Sequence, residues 1–305
     1  MRRLRMTDLT VWLALLAVFA VLPAVLGTYG QGVMFQLFAW IALTASWVAF
    51  SGMTGYISLG HAVFYGLGGY VMALSWMTLP LWVALPLSAV VAAVFAFLAG
   101  LPSLRVRGPY FVILTFGLAE FVKFIVIAIE SSLGMSGRLL LGAPDVSVLV
   151  YAMLGLAALA VALVMGLRHS RLGMALWSVR EDEVAAMTLG VPVTKVKLLA
   201  FVLSAVIPAM VGALAVLRST YFEPMQMFSP ITSFTIVTMA IIGGSERPAG
   251  PVLGAGFIML LSEILWSRAP EFYMMLLGVL LLGFVLFAPD GIVGKWQSRR
   301  RGQVV

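Results

Sequence analysis

The chain has 305 residues, of which 62% are hydrophobic and 10% charged. With a mean hydropathy of +1.09, this excludes an ordinary soluble domain, in which the apolar share is nearer half. The lack of cysteine and the presence of only two, widely separated histidines, His61 and His169, exclude a disulfide framework and leave metal chemistry little to work with. The net charge of +7 comes from basic residues scattered in small groups between apolar runs, a pattern of membrane topology and not of a nucleic-acid surface.

Long apolar runs punctuated by Gly and Pro, without alternating polarity, predict an all-α polytopic membrane helical bundle and exclude a barrel. Runs approaching the roughly 20 residues of a bilayer crossing fall near 9–27, 33–50, 62–79, 80–100, 109–130, 148–167, 198–217, 230–243, 250–267 and 271–288. About ten transmembrane helices are therefore expected, in a single transmembrane domain over 1–305. The first run follows Arg2, Arg3 and Arg5 as a secretory leader would. Its length, and the absence of a clear A-x-A site after it, make it an uncleaved span. The Gly-rich or short stretches 51–60 and 243–250 read as re-entrant or broken helix, and their similar placement hints at an internal repeat that the residues do not align to support.

Charge tests this arrangement. With the N-terminus inside, 15 of the 19 Lys and Arg residues fall on cytoplasmic segments, leaving Arg138, Arg218 and Arg268 outside and Lys123 within a span. Both termini are thus expected in the cytoplasm, and 168–197 is the longest hydrophilic interval. No phosphate-binding loop surrounds any lysine; GIVGKW at 291–296 has the wrong spacing and ending. The expectation is a chain with no cofactor of its own and no enzymatic machinery.

Four features stand out in chain order. Residues 51–70 carry glycines at 52, 55, 60, 66 and 68, and a helix starting near Ser58 would aim its N-terminal N–H groups into a cavity. Ser58, Leu59, Gly60 and His61 are the candidate substrate-path residues; the alternative is that the glycines only permit close packing. Glu120 and Lys123 lie three apart on one face of the fifth run and Glu263 lies in the ninth. Charge there either lines the route, with Glu120 the candidate, or is neutralised as an i,i+3 pair. In 168–197 a short surface helix is expected from Arg180 to Leu189, ended by Gly190 with Pro192 behind it. Its small face, Ala185 and Ala186, suits a partner's groove with Arg180, Glu181, Asp182 and Glu183 as the polar rim, against the plainer reading of a solvated connector. Finally, GPVLG at 250–254 is a helix-packing spacing, internal or between subunits.

Together these segments resemble the permease subunits of ABC importers for branched-chain amino acids, of the LivM type. The resemblance runs over most of the chain. It is carried by GYISLGH (55–61), RVRGPYFVILT (105–115), SRLG (170–173), REDEVAA (180–186) with Leu189 and Gly190, KVKLLAF (195–201), IIGG (241–244) and GPVLG (250–254). It implies an ABC type II-like permease in the bacterial inner membrane. Such a subunit forms a heterodimer with a second permease, with two ATP-binding subunits that hold the ATP and Mg, and a periplasmic substrate-binding protein. The same resemblance makes 180–190 the coupling helix that docks in the ATPase, although Val184 stands where the usual pattern has Glu. Rival readings are a permease for urea or another small amide, an ion-coupled secondary transporter using Glu120, Lys123 and Glu263, and a membrane-embedded enzyme.

Overall fold

A computed structural model describes residues 6–245, 248–266, 278–279 and 283. Its helices are α1 (Met6–Val25), α2 (Thr28–Trp47), α3 (His61–Ser75), α4 (Leu81–Ser103), α5 (Pro109–Ser132) and α6 (Val146–His169), then α7 (Arg171–Glu181), α8 (Glu183–Thr188), α9 (Val193–Ser219), α10 (Pro224–Met227), α11 (Pro230–Gly243) and α12 (Ala249–Trp266). The expected run at 271–288 falls almost wholly outside the described residues. Among the described residues six helical segments are long and apolar enough to cross a membrane, the last being α10 with α11, whereas α1 and α12 contribute shorter apolar stretches. The chain is thus a multi-pass helical bundle, and the described helices do not establish a count of ten.

Element boundaries follow local chemistry. Ser170 caps α7 by accepting from the Gly173 N–H at 3.0 Å, and Pro109 occupies the first turn of α5 behind Gly108, whose φ is +60°. Where a span over 62–79 is expected, α3 has 15 residues and stops at Ser75. At 1.5 Å per residue it is about 22 Å long, short of the roughly 30 Å hydrocarbon layer. The amide N–H groups of Thr78 and Leu79 both turn back to the Ser75 carbonyl, and Pro80, which cannot continue a helix, precedes α4.

The core forms around α9, which packs on α2, α3, α4 and α6, while α2 lies along α6 and α12 lies along α11. Lipid removes the hydrophobic drive for helices to associate, so packing depends on backbones coming close at small residues. At the α3–α9 crossing a Cβ on Gly68 would lie 1.9 Å from the Ala209 carbonyl, and one on Gly212 1.9 Å from that of Tyr65. The GPVLG segment packs internally, since a Cβ on Gly254 would lie 1.9 Å from the Met239 carbonyl in α11. Large apolar side chains of α4 and α5, among them Val90, Val94, Phe121 and Phe124, point outward, as a lipid-facing surface requires. One departure from an all-helical chain is a two-residue antiparallel pair, β1 (Arg138–Leu139) with β2 (Tyr221–Phe222). It joins the loop after α5 to the loop after α9 and gives both exposed backbones partners.

Candidate functional site

The Gly-rich segment is a break between two helices. At its start α2 widens into a π-turn, Val48–Gly52, after which the Thr54 hydroxyl donates to the Phe50 carbonyl at 2.8 Å and Gly55 turns the chain with a φ of +75°. The backbone then runs without helix to Gly60, which starts α3. This non-helical stretch is held by side chains from α2, α5 and α11. Trp47 Nε1 donates to the Ser58 carbonyl at 2.8 Å, the Leu59 N–H to Thr115 Oγ1 of α5 at 3.2 Å, and the Gly60 N–H to Ser58 Oγ at 3.2 Å. Ser233 of α11 bridges both sides of the break, accepting from the Ala62 N–H at 3.1 Å and donating to the Leu59 carbonyl at 2.7 Å.

Ser58, Leu59, Gly60 and His61 are therefore gathered at the start of α3, with the N–H groups of Ser58, Leu59 and Gly60 already spent on the hydroxyls of Ser51, Thr115 and Ser58. His61 is fully buried, its ring edge-on to Phe64 at 5.8 Å, and neither ring nitrogen has a hydrogen-bond partner among the described residues. Glu120 lies apart from this group in its bonding: its ion-pair partner is Lys123, one turn on. The Lys123 ammonium also lies over the Phe124 ring at 5.2 Å. Glu263 accepts a hydrogen bond from the Tyr29 hydroxyl.

The 168–197 interval does not contain one helix from Arg180 to Leu189 but two short helices broken at Asp182. The Asp182 carboxylate accepts the N–H groups of Val184 and Ala185 at 2.8 and 3.0 Å, so it caps a new helix in place of continuing the old one. Gly190, with a φ of +84°, closes α8. The break also re-aims the side chains. Ala186 does not face outward with Ala185 but packs inward on Val179 and Val193. The exposed apolar face of α8 is instead Val184, Met187 and Leu189.

Two of the expected rim charges also point inward, to the break. Arg180 Nη1 donates to the Gly52 carbonyl at 2.6 Å, with its guanidinium over the Trp177 ring at 4.9 Å. Glu183 accepts from the Tyr56 hydroxyl at 2.5 Å and from Lys197 Nζ at 2.9 Å, and pairs with Arg107 Nη2 at 3.3 Å. Lys197, only 2% exposed, completes its donor set with the Tyr56 hydroxyl at 3.1 Å and the Leu104 carbonyl at 3.3 Å. One carboxylate thus joins α8 to the break, to the α4–α5 turn and to the base of α9. Burial alone would raise the Glu183 carboxyl, but hydrogen bonds from Tyr56 and Lys197 and the charges of Lys197 and Arg107 outweigh it and hold the group below its usual value. Tyr56, Arg107, Arg180 and Glu183 also line an open cleft of about 750 Å³.

Sequence reasoning did not find Lys197, Tyr56 or Arg107 as members of a site. Lys197 counts there as a topological cation, although a lysine two residues past Lys195 and followed by LLAF was a signal that one of the two must turn inward. It also missed the fully buried Glu130 at the opposite end of the bundle, which Arg138 holds through Nε at 3.1 and 3.0 Å and Nη2 at 3.0 Å.

Known proteins bear on this arrangement directly. The family described as "Branched-chain amino acid transport system / permease component" matches residues 33–285. The chain is also similar to two proteins called "High-affinity branched-chain amino acid transport system permease protein LivM", from Salmonella typhimurium and Escherichia coli. They are 28% and 27% identical to it over 276 residues, covering 79% of this chain. The chain spans 64% of the length of these relatives. No solved structure matches it. A multi-pass helical bundle whose matched region takes in the helix break, the two-helix element and the network between them belongs to the branched-chain amino acid transport permease family, a family of transport components and not of enzymes.

Proposed function

We propose that the chain is the LivM-type permease subunit of an ABC importer that moves branched-chain, hydrophobic amino acids inward by alternating access. In this reading it lies in the bacterial inner membrane with about ten spans and both termini in the cytoplasm. It pairs with a second permease, two ATP-binding subunits and a periplasmic binding protein, and ATP and Mg are held by the ATP-binding subunits alone.

One observation carries the reading. The two-helix element α7–α8 is fastened to the helix break by Arg180 on the Gly52 carbonyl and Glu183 on the Tyr56 hydroxyl. A push on α8 from below would reach the non-helical backbone that leads to Ser58, Leu59, Gly60 and His61. Packed helices transmit such a displacement between discrete arrangements because they do not deform continuously. The unmet nitrogens of buried His61, at a cost of about 1–3 kcal/mol, suit a residue whose partner belongs to another arrangement of the cycle. The exposed Val184, Met187 and Leu189 would be the docking face.

The test is uptake by proteoliposomes holding the chain with its co-purified subunits. ATP-dependent leucine accumulation that disappears when α8 is scrambled supports the reading. Uptake without any ATPase partner, or unaffected by scrambling α8, would sink it in favour of a secondary transporter. Accumulation of urea in place of leucine would move the substrate to a small amide.

A further inference from the structure

Opposite the α7–α8 element the bundle holds a second polar cavity. The network above uses the end of the α2 π-turn and the start of α9; this cavity uses the middle of α2 and the last turn of α9. It has two lobes of about 480 and 500 Å³ that share Gln36, Trp40, Gln226 and Thr232 as walls, within the range of small-molecule sites, roughly 300–1,000 Å³. Arg218, in the last turn of α9, lines one lobe, and Glu263 lines the other.

Arg218 differs from three other buried or half-buried cations among the described residues. Lys123, Arg138 and Lys197 each have a carboxylate partner. Among the described residues Arg218 has none, and its guanidinium lies over the Phe35 ring at 4.7 Å. The helix opposite makes room for it, since a Cβ on Gly32 would lie 2.8 Å from Nη2. A half-buried guanidinium without a carboxylate partner among the described residues, lying over a ring on the wall of a cavity, is placed to take an anion by a charge-assisted, fork-shaped contact.

We propose that this cavity receives the transported solute, a small zwitterion with an apolar side chain, and that Arg218 binds its carboxylate. The two shared glutamines and Thr232 supply adaptable hydrogen bonds to the ammonium, and the Trp40 face accepts the aliphatic tail. This assignment rests on the reading of the chain as an amino-acid permease and names the site that reading lacks.

The experiment is equilibrium binding of radiolabelled leucine to the full chain in nanodiscs, with two competitors. 4-Methylpentanoate keeps the carboxylate and tail of leucine, and isopentylamine keeps the amine and tail. The expected result is competition by 4-methylpentanoate and none by isopentylamine. Arg218→Gln should raise Kd about 10–100-fold, with Arg218→Lys, which keeps the charge and loses the fork, falling between that variant and wild type. The competition uses the unaltered protein, so it decides the matter even where Arg218→Gln fails to fold. The proposal is overturned by competition from isopentylamine alone, or by a folded Arg218→Gln with unchanged Kd. If the assembled transporter also takes up leucine normally with that variant, the permease reading stands and only the site falls. If the wild-type assembly takes up no leucine, the amino-acid reading falls and the site with it.

Discussion

Removing the Glu183 carboxylate is the sharpest perturbation of the link between α8 and the helix break. In Glu183→Ala the Lys197 ammonium, 2% exposed, keeps only two neutral acceptors, the Tyr56 hydroxyl and the Leu104 carbonyl. Breaking a buried pair by deleting one partner costs about 3–5 kcal/mol. The Glu183 side chain retains 13% exposure and borders an open cleft, so about 2–3 kcal/mol is expected. For a chain of this size that lowers the unfolding midpoint by roughly 3–5 °C, measured by intrinsic fluorescence on the full chain in nanodiscs. Glu183→Met with Lys197→Met removes both charges and should recover at least half of the loss, because no unpaired ion remains buried. The folded Glu183 carboxyl lies below its usual 4.5. Its stabilisation is therefore complete above that value and is lost as pH falls through the lower, folded one. Wild type should lose midpoint on acidification below about pH 4.5 by a step that Glu183→Gln lacks. A Glu183→Ala midpoint equal to wild type, or a double variant no better than the sum of the singles, refutes the network as the link.

The remaining expectations concern packing, the opposite end of the bundle and docking. Gly68→Ala and Gly212→Ala put a Cβ 1.9 Å from a backbone oxygen and should abolish a monodisperse folded peak in size-exclusion chromatography. Gly155→Ala and Gly166→Ala meet nothing within 4 Å and should be neutral or stabilising by up to about 1 kcal/mol. Arg138→Ala strands Glu130, which is 1% exposed, and should cost about 3–5 kcal/mol, read as a fall in the same unfolding midpoint; Arg138→Lys should rescue part of it. Leu189, 81% exposed at the end of α8, should tolerate Leu189→Glu with no change in midpoint while pull-down of the ATP-binding subunits is lost.

Hydropathy made the class of the chain legible, because a bundle in lipid must be apolar along most of its length. Individual helix lengths were less legible. Within 62–79 the residues Trp76, Met77 and Leu79 are as apolar as the helix before them, so hydropathy cannot report that the backbone leaves the helix at Ser75. The information lies in Pro80 and in hydrogen bonds from Thr78 and Leu79 to Ser75, which composition averages away. Asp182 was a similar case. It read as one charge of a polar rim, whereas an Asp two and three residues before Val184 and Ala185 is equally a cap, and the cap divides the helix.

The site was half legible for a related reason. Glycine density at 51–70 announces an irregular backbone, and Gly52 and Gly55 do serve one. Density does not reveal what holds that backbone, because its partners, Thr115, Arg180, Glu183 and Ser233, lie 56 to 174 positions away in the sequence. Counting charges by side of the membrane treats each Lys or Arg as solvated, and that assumption fails where a loop folds back on the bundle. Lys195 and Lys197 differ by two residues, yet the first is exposed and the second buried, because a two-residue step on a helix turns a side chain by about 200°. Lys197 then needs an anion, and Glu183 is the one the α8 cap brings to it. The same break that divides the expected coupling helix thus aims its glutamate inward, so the cap at Asp182 and the network at Lys197 are one structural device. Asp182→Ala should therefore weaken the Tyr56–Glu183–Lys197 contacts without touching any of them.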